Sequence, residues 1–170
     1  MKPLILGEAP SRSGDQFWRY PLSGEAGKKL CEMAGIPPLD RPTSSYYGAF
    51  YWALRSHYDV ANVIQRYPGP SGRGAAFPRD LARTGLMRLR AQGALSDDRV
   101  VICLGRRVQA LLLPGPKVPD YYVWVRRATG MQLVTIPHPS ALNVLYNDPT
   151  HQRRAGKALR SAVKRTQQDG

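Results

Sequence analysis

The fold is decided by the stretch Leu4-Ile5-Leu6-Gly7-Glu8-Ala9-Pro10-Ser11, where an aliphatic run breaks into a glycine, a carboxylate and a proline. Short aliphatic runs are typical of buried strands in α/β proteins, and the loops at the carboxyl ends of such strands line the ligand crevice. The stretch therefore predicts a buried strand that places Glu8 at the mouth of a site. An ordinary turn after a buried strand is the alternative interpretation.

The composition indicates one basic domain over residues 1–170. The chain has a formal net charge of +13 and a pI of about 10.3. A strong positive field favours a polyanionic partner such as nucleic acid, with membrane lipid as the competing polyanion. No apolar run reaches the roughly 20 residues of a membrane span, and no signal-peptide pattern opens the chain. We therefore expect a soluble, cytoplasmic monomer that does not bind membranes.

The cysteine and histidine content predicts chemistry without a cofactor. Cys31 and Cys103 are the only cysteines, and His57, His138 and His151 are widely separated. Two cysteines cannot build a disulfide scaffold, a four-thiolate metal site or an iron–sulfur cluster within one chain. Both thiols are expected to be buried and free, with no metal and no cofactor.

Helices are expected to alternate with strands. Hydrophobic periodicity and glycine or proline stops predict helices over residues 23–34, 78–93, 106–113 and 151–168, and strands over residues 58–64, 100–104, 121–126 and 131–136. Residues 44–56 are rich in aromatic side chains and form either a buried helix or a stacking surface, with core packing favoured. This alternation is typical of an α/β protein with a parallel sheet that is covered on both faces.

Three polar residues follow different predicted strands and are expected to converge. Glu8, Asn62 and His138 all lie at carboxyl ends of strands, which meet at one edge of a parallel sheet. The carboxamide of Asn62 suits a base edge, because it both donates and accepts, although it could also be a turn residue. His138 stands between two prolines that restrict its backbone, which favours a fixed catalytic imidazole over a structural hydrogen-bonder.

The residues after His138 have the character of a DNA-binding loop. The hydroxyl of Ser140 can bind a phosphate, and Leu142 is an apolar residue in a polar loop. Proteins that push into a base stack combine an apolar wedge with a phosphate contact in this way.

Taken in order, these motifs resemble those of the uracil-DNA glycosylase superfamily, and most closely the bacterial branch that carries an iron–sulfur cluster. The resemblance covers nearly the whole chain and rests on Gly7-Glu8-Ala9-Pro10, Asp15, residues 21–27, Asn62-Val63, Leu104-Gly105 and His138-Pro139-Ser140. It implies a three-layer α/β/α fold with a central four-stranded parallel sheet. It also implies hydrolysis of the bond between deoxyribose and a base that is flipped out of the stack.

The resemblance implies a role for each motif residue. Glu8 would orient the attacking water, with Asp15 as its rival, and His138 would stabilise negative charge on the departing base. Ala9 and Pro10 would shape the pocket floor, Asn62 would bind the base edge, and Leu142 would fill the gap left in the duplex. The remaining expected DNA contacts are Ser11, Ser140, Asn143 and the basic residues Arg153, Arg154 and Lys157 of the last helix.

Departures from the family pattern concern the cluster and the base pocket. The four cluster cysteines are absent, Leu22 stands where the family has a stacking phenylalanine, and Ser11 replaces a glycine. Phe17, Trp18 or Tyr20 is expected to take over the stacking. A widened pocket admits either uracil or a pyrimidine with a bulky 5-substituent, such as a hypermodified base of viral DNA. Repair and defence against phage DNA both stay open.

A non-catalytic DNA-binding module with the same fold is the competing interpretation. Such a module would need only the basic surface. The joint presence of Glu8, Asn62 and His138 favours a monofunctional DNA glycosylase instead.

Overall fold

A computed structural model describes residues 1–10, 20–40, 46–71, 74–115, 118–140 and 143–168. The strands are β1 (Leu4–Gly7), β2 (Asp59–Asn62), β3 (Pro70–Ser71), β4 (Gly74–Ala75), β5 (Val100–Leu104), β6 (Trp124–Arg126) and β7 (Gln132–Ile136). The helices are α1 (Glu25–Ala34), α2 (Tyr46–His57), α3 (Arg79–Ala91), α4 (Arg106–Leu112) and α5 (Pro149–Gln168), with a 3-10 helix at Val144–Asn147. Every predicted helix and strand is present, with bounds that shift by a few residues.

The central sheet has the strand order β2-β1-β5-β7-β6. The first four strands run parallel, as predicted, whereas β6 pairs antiparallel with β7 and adds a fifth strand at the edge. The expectation of four strands is therefore corrected to five. The reason is local: Arg127 and Gly130 close a tight turn, in which the Arg127 N–H donates to the Met131 carbonyl at 2.8 Å. So short a connection can join only antiparallel strands.

Helices cover both faces of the sheet and complete the predicted three-layer α/β/α fold. On one face, Ile5 and Ile102 pack with apolar residues of α1, α2 and α5. On the other face, Leu6 and Val101 pack with α3 and α4. Because successive strand side chains point to opposite faces, β1 and β5 contribute to both cores and are fully buried.

The aromatic segment is a core helix rather than a stacking surface. Phe50 and Leu54 of α2 are buried in the core that α2 shares with α1 and α5, and Tyr51 is buried as well. Trp52 is the exception, because half of its side chain is exposed.

Arg99 ties the strands together at the amino edge of the sheet. Its guanidinium is 95% buried (5% exposed), pairs with Asp59 at the start of β2 and donates to the Lys2 carbonyl at 3.0 Å. Its backbone carbonyl accepts from Gln132 at the start of β7. One side chain and its backbone thus connect β1, β2, β5 and β7, which helps to set their register.

We expect Arg99→Ala to lower the free energy of unfolding by about 2–3 kcal/mol, because it leaves Asp59 and a buried carbonyl without their donor. Urea denaturation followed by circular dichroism measures this change. Arg83→Ala is the matched control: Arg83 forms an exposed ion pair with Asp80, and its loss should cost less than about 0.5 kcal/mol. Equal effects of the two substitutions would contradict the role assigned to Arg99.

Candidate active site

The four parallel strands deliver their loops side by side at the carboxyl edge. The ladder continues past the strand ends, since Val63 N–H donates to the Gly7 carbonyl at 3.0 Å and Ile64 N–H to the Glu8 carbonyl at 2.9 Å. Gly105 N–H likewise donates to the Ile136 carbonyl at 2.9 Å. These bonds fix the loops after β1, β2, β5 and β7 relative to one another.

Glu8 and His138 both lie against Gly105. A Cβ placed on Gly105 would lie 3.4 Å from Glu8 Oε1 and 3.7 Å from His138 Cβ, so the two residues approach the same point next to this glycine. The predicted convergence of Glu8 and His138 is therefore present. Gly105 itself has a φ of 90°, which favours glycine at this position.

Glu8 is partly enclosed and paired with a cation. Its side chain is 21% exposed, and its Oε2 atom accepts from Arg107 Nη1 at 3.4 Å. Burial raises the pKa of this carboxyl above its ordinary value of 4.5, while the positive charge and hydrogen bond of Arg107 act in the opposite direction. Oε1 stays on the Gly105 side, toward His138.

Asn62 is held at the end of β2 with an unused acceptor. The residue is 7% exposed, its side chain lies over Gly7, and a Cβ on Gly7 would overlap with Asn62 Oδ1. Within the described part of the chain, Oδ1 has no hydrogen-bond partner. A buried acceptor without a donor is costly, so this atom points to a bound group that donates.

Helix α3 supports Asn62 from the other side. Arg88 Nη2 donates to the Asn62 carbonyl at 3.4 Å. One turn earlier, a Cβ on Gly85 would overlap with the Val63 carbonyl oxygen, so only glycine allows α3 to pack this closely. This close packing keeps the Asn62 loop against the sheet edge.

A cavity of about 280 Å³ adjoins Asn62. Tyr20 lies on its wall, half exposed, with its ring stacked on the buried Tyr51 at 5.2 Å between centroids. The other lining residues include Pro10, Pro21, Gln65 and Arg88. A larger, mostly apolar cavity of about 350 Å³ lies beyond Gln65 and Arg88 but is lined by none of Glu8, Asn62 and His138. The smaller cavity has Asn62 in its wall but, like the larger one, neither Glu8 nor His138, so Asn62 links it to the candidate site.

His138 is a neutral imidazole on a braced loop. Burial, with a smaller contribution from Arg107, lowers its pKa from 6.5 to about 4. Its backbone carbonyl accepts from Asn143 Nδ2 at 2.9 Å, and the Tyr146 hydroxyl donates to the Pro137 carbonyl at 2.7 Å. These two hydrogen bonds hold the backbone of the loop at Pro137 and His138, and thereby restrict the position of the ring.

The remaining predicted site residues fall into different environments. Pro10 lines the cavity and Ala9 is partly buried next to it. Leu22 instead packs against the core of α1 and α2, with a φ of 61°, so Tyr20 and not Leu22 borders the cavity. Ser11, Asp15, Phe17, Trp18 and Leu142 lie outside the described residues.

The expected DNA contacts lie around the His138 loop and the first turns of α5. Ser140 is partly exposed and its carbonyl accepts from the Asn143 backbone. The Asn143 side chain is engaged within the loop, since its Oδ1 accepts from Leu145 N–H at 3.2 Å. On α5, Lys157 is exposed, Arg153 donates to Thr150 and Arg154 lies over the Tyr122 ring.

Arg107 is a site residue that sequence reasoning missed. A signal was present: Arg106 and Arg107 open a helix directly after a strand and a glycine. Cations are unfavourable in the first turn of a helix because the positive end of the helix dipole lies there. Two adjacent arginines at this position indicate a role for at least one of them beyond helix stability.

The structure does not fit an iron–sulfur cluster. Cys31 and Cys103 are both buried, but they lie in the two different cores on opposite faces of the sheet. Cys31 also donates to the Phe50 carbonyl at 3.3 Å. Two thiols separated by the sheet cannot bind one cluster, and the described residues contain no other grouping of metal-binding side chains.

The described residues also contain no helix of the length and hydropathy needed to cross a membrane.

Comparison with known proteins identifies the family. The chain matches a family model described as the uracil DNA glycosylase superfamily over residues 1–160, which extend from β1 into α5. No curated protein matches the sequence.

We expect His138 to titrate near pH 4, far below an ordinary histidine, because a proton would place a charge on an enclosed ring that water solvates poorly. The ring nitrogen shifts in long-range ¹H–¹⁵N spectra report this titration, with His138→Gln identifying the signal. In the unfolded chain, His138 takes up this proton near pH 6.5. Its contribution should therefore lower the free energy of unfolding as the pH falls from 6.5 toward 4. A midpoint near 6.5 would show that the ring is solvated.

Proposed function

Because the chain belongs to the uracil-DNA glycosylase superfamily, whose members are generally DNA glycosylases, we propose that it hydrolyses the bond between deoxyribose and a flipped-out pyrimidine in DNA. The observation that carries the proposal is the approach of the Glu8 carboxylate and of His138 to the same point next to Gly105. Asn62, with its unused buried acceptor, ends the neighbouring strand. This arrangement supplies groups for both ends of the bond that breaks.

The charges of the reaction match the charges of the site. As the base departs, positive charge develops on the sugar and negative charge on the base. Glu8 stabilises the sugar and orients a water molecule, whose oxygen bonds to the sugar carbon while one of its protons is released. The bond to the base nitrogen breaks, and the base leaves as an anion that then takes up a proton. Asp15 remains the rival of Glu8 for the water.

His138 acts on the leaving base as a hydrogen-bond donor. With its pKa near 4, the imidazole is neutral at physiological pH and carries one N–H. A donor that is held in place stabilises developing negative charge without any reorganisation. The bonds from Asn143 and Tyr146 to the loop provide this fixed geometry. The hydrolysis needs neither a metal ion nor a redox cofactor.

The base pocket favours uracil or a 5-substituted pyrimidine. Asn62 offers an acceptor and donors to the polar edge of the base. Tyr20 takes the stacking role that the family pattern gives to the position of Leu22, since among the described residues Tyr20 is the aromatic one on the cavity wall. The cavity of about 280 Å³ beside Asn62 leaves space for a substituent. Both a repair role and a defence role against modified phage DNA are compatible with such a pocket.

DNA is bound by the basic surface around the site. The net charge of +13 supplies nonspecific affinity, with Arg153, Arg154 and Lys157 near the start of α5. Ser11 and Ser140 contact phosphates, Leu142 fills the gap left by the flipped nucleotide, and Asn143 braces the loop that carries His138. The protein acts as a monofunctional, monomeric enzyme.

The deciding experiment identifies the released base. The protein is incubated with duplex and single-stranded DNAs that contain uracil or different 5-modified pyrimidines, without added metal. Free bases are measured by mass spectrometry, and abasic sites by alkaline cleavage of the strand. Release of one pyrimidine is expected. Tight, salt-sensitive binding with no release from any DNA would favour the alternative, a non-catalytic DNA-binding module.

We expect Glu8→Gln to reduce the rate of base release about a hundredfold or more, because the water loses its carboxylate. Asn62→Ala should cause a similar loss because the base edge loses its partner. Single-turnover kinetics at saturating DNA measure both. Asp80→Asn, a change at an almost fully exposed carboxylate, is the control and should retain the parental rate. Full activity of both site variants would reject the site assignment even if base release is real.

Gly7→Ala should mimic Asn62→Ala without touching that residue. The new Cβ overlaps with Asn62 Oδ1 and must push the carboxamide out of its position. The expected result is at least a tenfold lower rate in a protein that still unfolds cooperatively. Gly24→Ala, where a Cβ meets nothing within 4 Å, is the control. Parental activity of Gly7→Ala would mean that the Asn62 side chain is not held where the base binds.

A further inference from the structure

Arg107 contacts the site from helix α4. Its Nη1 atom lies 3.4 Å from Glu8 Oε2. This separation is long for a hydrogen bond but well within the range of an ion pair. The other carboxylate oxygen, Glu8 Oε1, lies next to Gly105.

The same guanidinium acts on His138. In the part of the chain that the structure describes, Arg107 is the charged side chain that influences both Glu8 and His138. Its positive charge favours the ionised carboxyl and disfavours the protonated imidazole. Both effects support an ionised Glu8 and a neutral His138, which are the protonation states that the proposed base release requires.

Phe77 helps to hold Arg107 in this position. The Arg107 guanidinium lies 5.8 Å from the centre of the Phe77 ring, within the range of a cation–π interaction. Phe77 is itself partly buried against the core under α3 and α4. A cation that is anchored on one side by a ring and on the other by a carboxylate is positioned rather than mobile.

We infer that Arg107 is a positioning residue that fixes the Glu8 carboxylate and sets the charge balance between Glu8 and His138. The inference rests on the proposed function, because it assigns Arg107 to the same reaction. Arg107 itself touches neither the base nor the sugar in this mechanism. It acts through Glu8, whose burial would otherwise favour the protonated and inactive carboxyl.

Arg106 provides a matched control on the same helix turn. It is exposed to a similar extent, pairs with Asp120 at 3.4 Å and lies over the Tyr121 ring. Replacing either arginine with methionine removes one charge from the first turn of α4. The two variants therefore lose similar nonspecific attraction for DNA, and a difference between them reports the contact with Glu8.

The test compares the pH profiles of base release for Arg107→Met, Arg107→Lys and Arg106→Met in single-turnover experiments. Without Arg107, the pKa of Glu8 should be higher, so Arg107→Met is expected to be about tenfold slower than the parent on the acidic limb of the profile and within about threefold of it on the alkaline plateau. Arg107→Lys keeps the charge and should restore most of the rate on the acidic limb. Arg106→Met should retain the parental profile.

A second readout does not depend on activity. The pKa of His138, about 4 in the parent, should rise in Arg107→Met and stay unchanged in Arg106→Met, as followed by ¹H–¹⁵N spectra. If the parent releases no base, the proposed function fails while this readout still tests Arg107. If the parent is active but Arg107→Met only weakens DNA binding, with an unchanged pH profile and an unchanged His138 titration, Arg107 is a phosphate contact and the inference is overturned.

Discussion

The site depends on the hydrogen-bonded register of four parallel strands. Gly7 stands opposite Asn62 in the pairing of β1 with β2, and Leu104 stands opposite Ile136 in the pairing of β5 with β7. The ladder bonds then continue into the loops, so the residues after each strand are held at one edge. A slip of one residue would turn every side chain to the opposite face. The hydrogen bonds and the ion pair of Arg99 at the amino edge, together with the burial of β1 on both faces, oppose such a slip.

This dependence explains how much of the molecule could be predicted from its sequence. The convergence of Glu8 and His138 follows from topology, because loops after parallel strands meet wherever the strands are neighbours. The antiparallel pairing of β6 does not follow, since the direction of an edge strand is decided by a short turn that ends in Gly130. Arg107 was missed for a related reason: its contact with Glu8 is made by a long side chain across 99 positions of sequence.

Electrostatics links the binding of DNA to the chemistry of the site. Burial raises the pKa of Glu8 and so acts against its charged form. Positive charge opposes this effect and at the same time disfavours a proton on His138. The net charge of +13 therefore acts in the same direction as Arg107 on both residues, although solvent and salt screen the distant charges much more strongly. In this protein the field that attracts a polyanion also favours an ionised Glu8 and a neutral His138, the protonation states that the proposed mechanism requires.

The wall of the cavity beside Asn62 is formed by residues that the family motifs do not specify. The motif position of the stacking aromatic is Leu22, whose left-handed backbone turns it against the core, where α1 packs closely on its carbonyl at Gly27. Tyr20 instead borders the cavity, and its ring is oriented by stacking on Tyr51, a buried residue of the aromatic helix α2. Helix α2 thus contributes to the pocket wall indirectly, through the stacking of Tyr51 on Tyr20. In this chain the sheet places Glu8 and His138 at the ends of strands, whereas helix packing and the contact between Tyr20 and Tyr51 shape the wall of the cavity beside Asn62.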